Sequence, residues 1–371
     1  VGLKGFSARY NTLFNSKDAL ETELKNRKMA YKDNFYEPYI RILTTEHLPT
    51  GTDLEAEDSY FGEKVDFAPP SSGKSRSQNT TILQISEAKA IKAIEKYSVQ
   101  KNGEEKNKAM FDAHILLAQA RLYQDRPLEA LDALGYLFNN MKGDKRLDLA
   151  KIYQAQAFAQ MKDYYRADEV FRSLSDLKKE YDRLKTVYYS QMLVDAGKKE
   201  EAVAELENAF GTNKNRTLRS RIAFLRGQVL ASLGKKEEAR ESFTSAYKLS
   251  NDFEFEVKSQ VEIAKTFSGK NDDYEGAKQY LESISKKGTY ASRKNEFYYA
   301  LGLMAANAGK NEEAQEFYKK SLAEKMSDPQ VRGLTYYEIG RNYFNQNDYI
   351  GAGAYYDSAV AVMTYAPEKQ R

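Results

Sequence analysis

Between Leu334 and Ala361 the chain reads LTYYEIGRNYFNQNDYIGAGAYYDSAVA. Apolar and aromatic residues recur three and four positions apart, at Tyr336, Ile339 and Tyr343, then at Tyr349, Ala352, Tyr356 and Ala359. That is the period of a helix face, so the stretch predicts two helices. Asn347-Asp348-Tyr349 breaks the pattern and predicts the turn between them. Gly340 and Ala352 fall where the helices cross, because a larger side chain there would push them apart. Tyr336, Tyr343 and Tyr356 fill the space beside the crossing.

The pattern recurs upstream. The small residue equivalent to Ala352 appears as Ala130, Ala167, Ala202, Ala239, Ala277 and Ala314, at intervals of 37, 35, 37, 38, 37 and 38 residues. Gly227, Gly302 and Gly340 hold the crossing position of the first helix, with Ala118, Ala155 and Ser190 in earlier repeats. The turns carry Gly197, Gly234 and Gly309. The second helix places a large residue at Leu134, Phe171, Leu206, Phe243, Leu281, Tyr318 and Tyr356. The fifth repeat holds one extra residue near Gly269-Lys270. This spacing is that of the tetratricopeptide repeat, a hairpin of two helices in about 34 residues. The expected fold is therefore all-α, a right-handed superhelical tetratricopeptide-repeat solenoid of about seven helix pairs over 104–365.

Ahead of the repeats, the pattern predicts an N-terminal helical segment over 1–44. Asn15 or Ser16 is the expected cap, with Leu20, Leu24 and Tyr31 on the apolar face. Pro38 interrupts the helical pattern, leaving 35–43 extended or as a short helix. Residues 45–81 read as a linker or long loop, rich in Pro, Gly and Ser, with Tyr60, Phe61 and Phe67 as possible anchors. Helix resumes near Ser86, and Ala93, 37 residues before Ala130, marks the second helix of an incomplete repeat. The solenoid is expected to occupy 82–371. An uncapped final repeat predicts further chain or a partner covering that end.

Composition removes several functions. Net charge is +3, from 57 basic and 54 acidic residues, which argues against nucleic acid as the main partner. With no cysteine, disulfides and thiolate metal sites are impossible. No apolar run approaches 18 residues, so no spanning helix is expected. The two histidines, His47 and His114, form no metalloprotease motif or triad order, and His114 reads as a surface or groove residue. Gly73-Lys74-Ser75 echoes a P-loop end but lacks the upstream glycine and strand. Asp272-Asp273 and Glu237-Glu238 suit helix starts. No strand is expected, and neither catalysis, a cofactor nor a bound metal.

The informative positions face the concave groove of such a solenoid. Just after the crossing residue stand Gln119, Gln156, Gln191 and Gln228, succeeded in later repeats by Lys265, Leu303 and Arg341. A side-chain amide both donates and accepts, so four in register suit the backbone of a bound peptide. The same register also suits bonding between neighbouring helices. Tyr123, Phe224, Tyr299, Tyr337 and Phe344 lie beside them, either as anchors for a partner or as packing between repeats. A cationic carboxylate clamp is not supported, because Ile115, Ile152 and Val187 stand where its polar residues would be.

Ala8-Arg9-Tyr10-Asn11-Thr12-Leu13-Phe14-Asn15, then Ala19-Leu20 and Lys32-Asp33-Asn34, resemble the opening of the PorW/SprE family. Ala93-Ile94-Glu95-Lys96-Tyr97-Ser98 and Tyr355-Tyr356-Asp357-Ser358 are similar to it as well. These are tetratricopeptide lipoproteins of the type IX secretion and gliding-motility machinery of Bacteroidota. The resemblance implies a non-enzymatic protein–protein interaction scaffold on the periplasmic face of the outer membrane. Its implied partners are the secretion translocon and periplasmic ring and motor components, with protein transport as its role. Two departures stand out. The family's lipid-bearing cysteine is not in this chain, so membrane attachment would require a lipid anchor preceding residue 1, and the family is longer at its C-terminus. The alternative reading is a surface glycan-binding lipoprotein of the nutrient-uptake type, which predicts aromatic platforms on long insertions. Tryptophan is absent and only 45–81 is a long insertion. A third reading is a helical regulatory domain of an enzyme lying outside this chain.

Overall fold

The computed structural model describes residues 10–45, 81–270 and 272–364. Among these are sixteen α-helices. The first two are α1 (Asn11–Ala30) and α2 (Ile82–Tyr97). Then come α3 (Met110–Tyr123), α4 (Pro127–Asn140), α5 (Leu147–Gln160), α6 (Tyr164–Ser173), α7 (Lys179–Asp195) and α8 (Lys199–Thr212). The rest are α9 (Arg216–Ser232), α10 (Lys236–Leu249), α11 (Phe253–Lys265), α12 (Tyr274–Ser285), α13 (Lys294–Asn307), α14 (Asn311–Ala323), α15 (Pro329–Asn345) and α16 (Tyr349–Val362). Within pairs, α1 packs on α2, α3 on α4, α5 on α6, α9 on α10, α11 on α12, α13 on α14 and α15 on α16.

The chain forms two compact units. The first contains 1–33 and 42–201, the second 34–41 and 202–371. The first is built around Phe111, Leu116, Leu134, Leu137, Ile152 and Phe171, all fully buried. The core of the second centres on Phe224, Phe243, Phe297 and Tyr318.

The small residues do what their spacing demands. Ala130, Ala167, Ala202, Ala239, Ala314 and Ala352 are buried to 1% exposure or less, and Ala277 is half-buried. A Cβ built on Gly227 would lie 2.7 Å from the Phe243 ring, and one on Gly340 2.8 Å from Tyr356. Gly302 stands tighter still against Tyr318. The turn after the first helix of each repeat holds a residue of positive φ: Asp125, Lys162, Gly197, Gly234, Gly269, Gly309 and Asn347. Only Gly takes this conformation freely, but Asp and Asn tolerate it and Lys162 is held in it. Asp163, Asp273 and Asp348 then cap the helices after these turns, each accepting a backbone N–H three residues on.

Four expectations change. First, α1 is not capped by Asn15 or Ser16, since the helix begins at Asn11 and both are interior. Second, α2 is the second helix of a pair, as the spacing from Ala93 implies, but that pair is complete. Its first helix is α1, although residues 31–81 separate them. The crossing is sealed by reciprocal bonds: Ser16 Oγ donates to the Ser86 carbonyl at 2.6 Å, and Ser86 Oγ to the Ser16 carbonyl at 2.8 Å. α2 itself starts at a capping box in which Thr81 Oγ1 accepts the Gln84 N–H and Gln84 Oε1 accepts the Thr81 N–H.

Third, a two-residue hairpin does occur, Gln100–Lys101 (β1) against Glu104–Glu105 (β2), antiparallel. Asn102 and Gly103 both adopt positive φ at its tip, as an Asn-Gly turn requires. Fourth, His114 is buried at 4% exposure. Its ring stacks on Tyr136 at 4.1 Å, with Nδ1 2.8 Å from the Met110 carbonyl oxygen. Burial holds its pKa below the usual imidazole value. The loop anchors Tyr60, Phe61 and Phe67, the Gly73-Lys74-Ser75 run, His47, Ala8 and Arg9 lie outside the described residues.

Candidate partner-binding face

In the second unit α9, α11 and the cap of α15 receive the segment Asn34–Arg41. Pro38 cannot donate to a helix, and the segment is neither helix nor strand. It opens in a turn: Asn34 Oδ1 accepts the Tyr36 N–H at 3.0 Å and the Asn34 carbonyl accepts the Glu37 N–H at 3.3 Å. That projects two aromatic side chains. Phe35 meets Phe224 edge-on at 5.6 Å and Phe255 at 5.4 Å. Tyr36 donates its phenol hydrogen to Asp328 Oδ2 at 3.1 Å, while Lys258 Nζ sits 5.0 Å from its ring centre. Burial, then the charges of Glu296 and Asp328, push the Tyr36 phenol pKa upward, so it stays a hydrogen-bond donor.

Lys258 is held in place by a buried ion pair with Glu296, which also accepts from Arg293 at 2.6 Å. Glu296 is 2% exposed and Lys258 8%. Buried charges survive only when paired and hydrogen-bonded, and this network meets both conditions. Further along, Tyr39 donates to Ser232 Oγ at 3.1 Å, and the Ile40 N–H donates to Gln228 Oε1 at 2.8 Å. Arg221 donates to the Arg41 carbonyl.

In the first unit the same register position acts on the next residues of the chain. The Ile42 N–H donates to Gln191 Oε1 at 2.8 Å, and Gln191 Nε2 donates to Asp195 Oδ1 at 3.1 Å. Arg27 Nη1 donates to the Thr45 carbonyl at 3.1 Å. Its Nη2 donates to the Tyr123 carbonyl at 3.0 Å, and the guanidinium lies 5.6 Å from the Tyr123 ring centre. Glu23 accepts from Arg27 Nε at 3.0 Å.

The other sequence-derived positions divide. Gln119 Nε2 donates to the Tyr153 hydroxyl at 2.8 Å, a bond between neighbouring helices rather than to a segment. Gln156 lies half-buried on α5, in the repeat before that of Gln191. Arg341 pairs with Glu338 at 3.7 Å. Phe224 is 1% exposed and Tyr299 7%, both covered by their own chain. Tyr337 packs on Tyr356 at 5.6 Å. Phe344, 52% exposed, meets Tyr349 edge-on. The residues that grip Phe35 and Tyr36, namely Phe255, Lys258 and Asp328, do not stand at the glutamine register. The sequence gives no sharp signal for them: Lys258 is one of several ionisable residues along α11.

Among the described residues no three His, Cys, Asp or Glu side chains cluster as metal ligands, and no helix is long and apolar enough to cross a membrane. What this arrangement does chemically is hold a polypeptide, through amide and guanidinium bonds to its backbone and through an aromatic and charged seat for its side chains.

Comparison with known proteins agrees with the helix pairing. Residues 78–263 match the family described as tetratricopeptide repeat-like domain, and residues 269–329 the tetratricopeptide repeat. No curated protein matches the sequence. Among solved structures, a tetratricopeptide repeat protein from Parabacteroides merdae aligns with TM-score 0.44 and 12% identity, over 70% of this chain and 94% of its own. The apo form of RapI aligns with TM-score 0.44 and 16% identity, over 76% and 80%. The Cut9–Hcn1 hetero-tetramer of the APC/C aligns with TM-score 0.34 and 15% identity, over 76% and 54%. With the first family match spanning half of its length, this chain belongs to the tetratricopeptide repeat-like family.

Proposed function

We propose that this protein is a non-enzymatic scaffold that binds other proteins through the first helices of its repeats. The observation that carries the reading is how each unit holds extended chain: in the second, Gln228 and Arg221 bond the main chain of 34–41 and a seat holds Phe35 and Tyr36, and in the first, Gln191 and Arg27 bond the main chain of 42–45. A side chain that bonds backbone can hold any sequence, while the seat selects one. Tetratricopeptide arrays are protein-interaction folds, which fits that division.

The finer reading rests on the resemblance to PorW/SprE in residues 8–15, 19–20, 32–34, 93–98 and 355–358. On that reading the protein sits at the periplasmic face of the outer membrane, lipid-anchored, between the type IX secretion translocon and the periplasmic ring and motor parts. Crosslinking mass spectrometry on intact cell envelopes tests it. Links to secretion or gliding components support the reading. Links confined to unrelated proteins, or recovery of the protein only with cytoplasmic partners, sink it. Micromolar sugar binding by calorimetry would turn the assignment toward the glycan-binding alternative.

A further inference from the structure

Between 180 and 292 residues of chain separate the segment Asn34–Arg41 from its partners in the second unit. The contacts are those of a ligand in a receptor. Phe35 fills an aromatic slot between Phe224 and Phe255. The Tyr36 phenol is read at both its polarities, donating to Asp328 and accepting from Lys258 Nζ at 3.5 Å. The turn that presents the two rings is made by Asn34 within the segment itself. Pro38 fixes its own φ, which lowers the entropy lost on ordering.

The receptor side is assembled independently of the segment. Phe224 packs on Phe243 at 5.2 Å and on Phe255 at 5.1 Å. Lys258 is anchored by Glu296, which Arg293 in turn holds. Asp328 is fixed as the cap of α15, its other oxygen accepting the Gln330 N–H at 2.8 Å.

We infer that this face is a binding site for a turn-forming peptide of the pattern Asn-aromatic-Tyr-x-Pro, filled in cis by the chain's own 34–41 and taken in trans by a partner protein that presents the same pattern. The inference rests on the scaffold reading above and names its ligand. Tyrosine is preferred over phenylalanine because its hydroxyl donates to Asp328 and accepts from Lys258, two hydrogen bonds that a phenylalanine ring cannot make. A phosphate on this tyrosine would take away the hydrogen it donates to Asp328 and set negative charge against that carboxylate and Glu296, with Lys258 and Arg293 opposing. A tethered segment competes at an effective concentration of about millimolar, so the resident keeps weak sequences out and covers Phe224 and Phe255 until a good one arrives.

The test uses the full chain and a fluorescein-labelled peptide of residues 33–41, read by fluorescence anisotropy. In one variant Phe35→Ala and Tyr36→Ala together weaken the resident and leave the receptor intact. The expected result is at least tenfold tighter peptide binding to this variant than to the unaltered chain. A peptide carrying Tyr36→Phe should bind about tenfold more weakly, and adding Lys258→Gln to the variant should weaken binding by a similar factor. Equal binding by the variant and the unaltered chain, or none by a folded variant, overturns the inference.

Hydrogen exchange on the unaltered chain gives an answer even where the variant fails to fold. The amides of Tyr36 and Ile40 should exchange faster than those of α9 and α11, because a ligand opens by itself. Equal protection would make 34–41 part of the core and overturn the site. Failed envelope crosslinking beside intact peptide binding removes only the secretion assignment. Failed peptide binding removes this site and leaves the scaffold reading to other faces.

Discussion

Gly227→Ala is the sharpest test of the helix crossings. By local propensity the change should help, since Gly inside a helix costs about 1 kcal/mol relative to Ala. The structure predicts the reverse. The new Cβ would stand 2.7, 2.8 and 2.9 Å from three atoms of the Phe243 ring, closer than carbon atoms tolerate. Phe243 is fully buried and braced edge-on by Phe224, which is itself braced by Phe255. The ring has no free direction to move, so α9 and α10 must separate. Overpacking of this kind costs typically about 1–3 kcal/mol. A three-atom clash belongs at the upper end, and subtracting the propensity gain leaves a net loss of about 2 kcal/mol.

Gly135→Ala is the matched control. It lies within α4 with nothing inside 4 Å of the added carbon, so it should gain about 0.5–1 kcal/mol. Gly340→Ala should fall between them, because Tyr356 is only half-buried and can yield. Urea denaturation monitored by circular dichroism gives the sign. Native-state hydrogen exchange of α9 and α10 amides locates it, since a repeat array is a sum of local terms. If Gly227→Ala proved as stable as Gly135→Ala, the crossing argument would be refuted throughout the array.

Single contacts carry the other predictions. Gln191→Ala leaves the Ile42 N–H without its acceptor, at a cost of about 1–3 kcal/mol, and should raise hydrogen exchange at Ile42 well before α7 is affected. Burial pushes the Asp112 carboxyl up to about 6 from an ordinary 3.8, against the opposing pull of Arg146. The folded state therefore binds the proton more tightly than the unfolded one, so stability falls as pH rises from 3.8 to about 6. Asp112→Asn should flatten that slope, raising the melting temperature at pH ~7.5 but not at ~4, with at most about 3 kcal/mol involved. A variant melting curve parallel to the original at both pH values would exclude this role. Gly103→Ala forces Cβ into the left-handed region at φ 76, costing about 1 kcal/mol, and should speed exchange of the Lys106 N–H that closes the hairpin onto Val99.

What is legible in the sequence is what repeats locally. The alanines at 35–38-residue intervals and the glycines facing Phe243, Tyr318 and Tyr356 can be read because each crossing imposes the same steric demand. Single-residue devices are harder to see. Asp125, Lys162 and Asn347 take the left-handed turn conformation that glycine marks elsewhere, so side-chain identity conceals a backbone equivalence. Asn102-Gly103 and the Thr81–Gln84 box each carry a known local signal, but both are short breaks in a helical pattern that masks them.

The binding face shows a deeper asymmetry. Gln228 and Gln191 can be found by counting, because they recur with the repeat. What they bind is a backbone N–H, which almost every residue offers, so they say nothing about which segment will come. Phe35 and Tyr36 carry the opposite kind of information. They specify a partner closely, yet nothing in the sequence around residue 35 points to Phe224, Phe255, Lys258 or Asp328. Those four stand together only because helices from different repeats align their first-helix faces and the start of α15 completes the seat. Periodicity thus reveals residues able to hold a chain, and only the assembled fold reveals what surrounds Phe35 and Tyr36. Selectivity in such an array should accordingly reside in positions that depart from the repeat, and substitutions at Lys258 or Asp328 should change which peptides bind more than substitutions along the glutamine register do.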